Sequence, residues 1–159
     1  RPAILFRKRK GAVQEMIESD TIKLLRECDA GIKMGVSSLD EVLDYVHDEK
    51  LEEALKEYRE EHNELQSEIL TLLEKYQDDG KEPNPIAKSM SWVKTNAKLV
   101  MDESDHTIAD LVTDGCNMGV KSLNRYLNQY KAADEKTKNI TKKLIRLEEK
   151  LTAEVQKFL

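Results

Sequence analysis

From about Asp20 the apolar residues fall at Ile22, Leu25, Ile32, Val36, Leu39, Leu43 and Val46, at helical intervals. This is the period of an α-helix with one buried face. It predicts a helix ending near His47, with Ser19 or Asp20 as its cap. A second seam begins near Asp48 and carries Leu51, Leu55, Tyr58, His62, Leu65, Ile69, Leu72 and Tyr76. The junction is only a few residues, so the two helices must be antiparallel neighbours. Asp78 to Pro85, with Gly80, Pro83 and Pro85, breaks the pattern. Ile86, Met90, Val93, Ala97 and Val100 then predict a shorter amphipathic segment over 86–102. A third long helix starts at Ser104 or Asp105, runs to Tyr130, and uses Ile108, Val112, Cys116, Val120, Leu123 and Leu127. The fourth runs from Asp134 to the end through Ile140, Leu144, Leu147, Leu151, Val155 and Phe158.

Each hairpin buries one apolar stripe and needs the other to cover it. The pattern therefore predicts an all-α four-helix bundle over 19–159, built from hairpins 20–77 and 104–159. A long, partly helical crossover, 78–103, joins helices 2 and 3. Residues 1–18 form a basic extension ahead of the bundle.

The two hairpins also share sequence. Gly-Ile-Lys-Met-Gly-Val-Ser-Ser-Leu at 31–39 returns as Gly-Cys-Asn-Met-Gly-Val-Lys-Ser-Leu at 115–123, 84 positions on. Glycine inside a helix is about 1 kcal/mol worse than alanine. Two glycines four apart share one helix face and let another backbone come close. Gly31, Gly35, Gly115 and Gly119 are thus expected at close helix contacts between the hairpins, in preference to giving a cofactor room.

Composition fits this plan: 36% of the 159 residues are charged and 5% aromatic, as in long-helix bundles. The net charge of -5 hides an asymmetry, because Arg1, Arg7, Lys8, Arg9 and Lys10 lie in a start with no acid. The remaining chain holds 21 basic and 31 acidic residues, which argues against nucleic-acid binding by the bundle. Cys28 and Cys116 are too few for a disulfide framework and occupy unmatched repeat positions, so neither a disulfide nor a duplicated redox pair is expected. The opening residues are too briefly apolar for a signal peptide, and no later stretch is long enough to span a membrane. A cytoplasmic location is the expectation.

Leu24-Leu25-x-x-Cys28-x-x-Gly31, Trp92-Val93-Lys94 and the stretch from Asp114-Gly115 to Tyr126 resemble the ferritin-like group of bundles. More closely, they resemble an uncharacterised bacterial family within it, a domain of unknown function. The resemblance covers residues 20–158. It implies the bundle fold and a cytoplasmic bacterial setting, and no mechanism.

Ferritin-like di-iron proteins place a carboxylate on two helices and a Glu-x-x-His on each of the other two. Here Arg59 stands three residues before His62, and the fourth helix has no histidine, with Thr141 and Leu144 near the equivalent place. A duplicated di-iron site is absent from the sequence, and no cofactor is expected. His62 and Asp29 remain polar residues in apolar seams, and are the only metal candidates. The favoured reading makes them structural, each bonded to a neighbour. The hairpin register also separates them by roughly 9 Å along the axis. Trp92 is expected to clamp the crossover onto the bundle, or else to join a partner surface. Ile4, Leu5 and Phe6, beside the basic cluster, are expected to be mobile, to pack into a groove, or to meet a partner or a membrane surface peripherally.

The leading expectation is a non-enzymatic bundle acting through protein contacts, as a homo-oligomer or scaffold. The competing one is a metal-binding or redox protein, with iron or another metal in a degenerate ferritin-like site.

Overall fold

The computed structural model describes residues 2–84, 98, 99 and 101–159. Four long helices make up the bundle among the described residues: α1 (Pro2–Leu43), α2 (Glu49–Glu74), α3 (Asp105–Gln129) and α4 (Glu135–Val155). A 3-10 turn, Gln156–Phe158, follows α4. No described helix is long and apolar enough to cross a membrane. Trp92 and most of the segment expected over 86–102 lie outside the described residues.

Three of the helices start on side-chain caps. Asp48 accepts from the backbone N–H groups of Lys50 and Leu51, Ser104 from Thr107, and Asp134 from Thr137. Each cap satisfies orphan donors of the first turn and is worth about 1 kcal/mol.

The fourth, α1, departs from expectation. Ser19 and Asp20 do not cap it; they lie inside a single helix of 42 residues that begins at Pro2. Proline is well placed in a first helical turn. Most of residues 3–18 are helix formers such as Ala, Leu, Arg, Lys, Gln, Glu and Met, so propensity carries the helix where no buried face supports it. Asp20 instead accepts from the N–H of Ala132, and Thr21 from that of Asp134, tying α1 to the turn between α3 and α4.

The hairpins are antiparallel, α1 with α2 and α3 with α4. Across the bundle α2 packs on α4 and α1 on α3, leaving α2 and α3 on a diagonal. At one end, the Asp105 carboxylate accepts from the N–H groups of His47 and Asp48, and His106 Nδ1 lies 2.8 Å from the Leu159 carbonyl. Both α2 and α3 therefore begin at this end and run parallel. The far end holds the exit of α2, where Arg26 pairs with Asp78 and Lys33 with Glu82. Beyond that end α1 continues alone. Residues 3–16 are exposed throughout, an arm of about 21 Å at 1.5 Å per residue.

Two apolar clusters fill the interior. One, toward the arm, includes Leu25, Ile32, Leu65, Ile69, Leu73, Leu123 and Leu144. The other includes Leu39, Leu51, Leu55, Ile108, Leu151 and Val155, with Leu99 from the end of the connection packed into it. Between them lies a polar layer.

Candidate functional site

His62 is fully buried on α2, between Tyr58 of one apolar cluster and Leu65 of the other. Its Nδ1 lies 2.8 Å from the Tyr58 carbonyl oxygen, and its Nε2 lies 2.7 Å from Glu148 Oε1 on α4. The Tyr58 hydroxyl donates to both oxygens of the same carboxylate, at 2.6 and 2.7 Å. The Tyr58 and His62 rings lie 3.7 Å apart, tilted by 34°. From α3, buried Cys116 lies near Glu148 and Tyr58. Burial, then the neighbouring Glu148 charge, push both the Tyr58 phenol and the Cys116 thiol well above their ordinary ranges. Both therefore stay protonated, and the Tyr58 hydroxyl is a donor.

His62 and Glu148 stand at equivalent places in the two hairpins, the same number of residues past the aspartates that cap their helices, Asp48 and Asp134. The repeat glycines meet this layer too. A Cβ on Gly35 would sit 3.5 Å from the Tyr58 oxygen, and one on Gly119 would sit 3.7 Å from the Glu148 carboxyl group. This corrects the expected role of the glycines. Gly31 and Gly115 have nothing within 4 Å of such a Cβ and are exposed, so they make no close helix contact. Gly35 and Gly119 face side chains of the polar layer rather than a neighbouring backbone.

Asp29 belongs to a separate cluster. It is fully buried, and its carboxylate is 2.9 Å from Lys33 Nζ. It also accepts from Gln66 Nε2 at 3.2 Å and from the Lys81 N–H at 3.0 Å. Gly80, at φ +92°, passes so close that a Cβ there would lie 2.3 Å from Asp29 Oδ2. A positive φ and this contact both require glycine. Lys81 Nζ reaches Glu27 from the same segment. Asp29 thus pins the exit of α2 onto α1 and makes no contact with His62.

The donors do not fit a pair of iron ions. Arg59 turns outward to Asp40, both His62 nitrogens are taken up by Tyr58 and Glu148, and Asp29 is held by Lys33, Gln66 and Lys81. Among the described residues no three His, Cys, Asp or Glu side chains are grouped to hold a metal. Cys28 and Cys116 are free and buried. Cys28 Sγ lies 3.3 Å from Thr141 Oγ1, and burial pushes its thiol up to about 12.

Ile4, Leu5 and Phe6 do not occupy a groove; they are 53, 58 and 60% exposed on the arm, with Val13 and Met16 similarly open. Lys10 lies over the Phe6 ring, one turn away on the same helix.

Tyr58 and Cys116 are visible in the sequence only as seam positions, and Glu148 is not visible as a site residue at all. Its one signal is register: counted from the two aspartate caps, Glu148 falls opposite His62. Comparison with protein-family models, curated proteins and solved structures found no match to this chain.

Proposed function

We propose that this protein is a ferritin-like four-helix bundle that works through protein contacts, without catalysis, and that its first partner is a second copy of the same chain. The observation that carries this reading is the unbroken helix of α1, which holds Ile4, Leu5, Phe6, Val13 and Met16 in solvent beyond the bundle. Scattered exposed apolar residues are ordinary, but a run of them on an isolated helix costs free energy until something covers it.

Charge selects the occupant. The arm carries Arg7, Lys8, Arg9 and Lys10, and a continuous helix cannot turn back onto its own bundle. The acid it meets must come from another molecule. On α2, Glu49, Glu53, Glu57, Glu60, Glu64 and Glu68 recur at helical spacing, and all are exposed. They form a stripe opposite the buried face of Leu51, Leu55, Tyr58, His62, Leu65 and Ile69. An arm laid along this stripe would pair its basic residues with acid. Such contacts steer association and set register more than they add affinity.

The ferritin-like assignment is supported by the parallel run of α2 and α3. The end of α2 and the start of α3 lie at opposite ends of the bundle, as a crossover requires. The polar layer supports a non-catalytic role, since Tyr58, His62 and Glu148 spend their polar atoms on one another.

Sedimentation velocity over a concentration series tests the proposal. The full chain is expected to associate, more weakly at high salt, and the chain lacking residues 2–17 to stay monomeric. A full chain that remains monomeric at high concentration and low salt would refute self-association.

A further inference from the structure

We propose that His62 and Glu148 form a buried proton-binding site that holds one proton between the two hairpins, as imidazolium against carboxylate.

His62 Nδ1 faces a backbone carbonyl, which can only accept, so Nδ1 carries a hydrogen. Nε2 faces a carboxyl oxygen at 2.7 Å, and a contact that short between two nitrogen or oxygen acceptors is repulsive unless a proton lies between them. Either the ring is doubly protonated or Glu148 is a neutral acid. The other donor decides between these. Tyr58 donates its hydroxyl to both oxygens of Glu148. Donation to a carboxylate favours its ionised form. The ring then carries the proton, and it stacks on Tyr58, whose aromatic face favours a cation.

No other charged side chain faces the pair among the described contacts. The α2 groups are Tyr58 and His62, α3 supplies Cys116 and the open position at Gly119, and α4 supplies Glu148 with Thr152. From α1 comes only Gly35. The nearest buried charge on α1, Asp29, is held in its own cluster by Lys33 and Gln66. The unit is therefore neutral with one proton and carries a stranded negative charge without it. Losing the proton also sets one acceptor against another, at either the Tyr58 carbonyl or Glu148. Because His62 belongs to the first hairpin and Glu148 to the second, the loss falls on the joint between them.

Nitrogen-15 spectra of the full chain read the proton directly. At neutral pH both His62 ring nitrogens are expected to be protonated, with exposed His47 and His106 as comparators in the same spectrum. His62 with a single protonated nitrogen would overturn the proposal. A second arm uses Glu148→Gln, whose amide can donate to a neutral Nε2 and needs no extra proton. In that variant His62 is expected to show a single protonated ring nitrogen. A doubly protonated His62 in the variant would equally overturn the proposal.

Discussion

At the scale of single residues, the polar layer is a buried ion pair with a satisfied shell. Such a pair adds little stability over a well-packed apolar replacement, but breaking it leaves a stranded charge. Glu148→Ala should therefore cost about 3–5 kcal/mol in denaturant titration. The combined Tyr58→Phe, His62→Leu, Glu148→Met change should come out near neutral or better. The thiols make a separate prediction, in alkali. Cys28 keeps its proton in the folded chain up to about 12, whereas an unfolded cysteine loses it near 8.5. A group bound more tightly in the folded state contributes stability that is lost as pH rises. Stability should thus fall between about pH 8.5 and 12, and native Cys28 should react slowly with a thiol reagent at pH 8.5 until denaturant is added. His62 is legible in the sequence because it interrupts an otherwise apolar seam. Glu148 is not, because Leu147 beside it satisfies the period equally well, and a glutamate on a charged helix looks like surface. Leu147 is in fact only half-buried, and the seam runs Leu144, Glu148, Leu151.

At the scale of elements, the repeat glycines separate into two kinds. Gly31 and Gly115 face open space, so Gly31→Ala and Gly115→Ala should each stabilise by about 0.5–1 kcal/mol through helix propensity. Leucine at either place should do no harm. At Gly35 and Gly119 alanine fits at ordinary contact distance, whereas leucine would press on Tyr58 or Glu148 and should cost about 1–3 kcal/mol. Thermal melts of the four leucine variants should fall into these two pairs. Gly80→Ala should be worse than any of them, because it combines the strained φ with the Asp29 contact. The seam of α2 is legible throughout, from Leu51 to Leu72, since one strict period and one buried face coincide there. The start of α1 is not. Before Asp20 no buried stripe marks the helix, so apolar periodicity places its beginning too late, and only propensity extends it to Pro2.

At the scale of the whole molecule, the chain consists of a body that stabilises itself and an exposed arm for which we propose a partner. The two apolar clusters and the polar layer lie entirely within residues from Thr21 onward, so removing residues 2–17 should leave the unfolding midpoint nearly unchanged. On the proposed reading the arm adds association, and the contact it would make can be located. A photoreactive side chain placed at Phe6, in an equal mixture of ordinary and nitrogen-15-labelled full-length protein, reports whether a cross-link joins two molecules. The account predicts hybrid cross-links of mixed isotope that map to the acidic stripe of α2 between Glu49 and Glu68 and fade as salt is raised. Cross-links confined within single molecules, or none to α2, would contradict it.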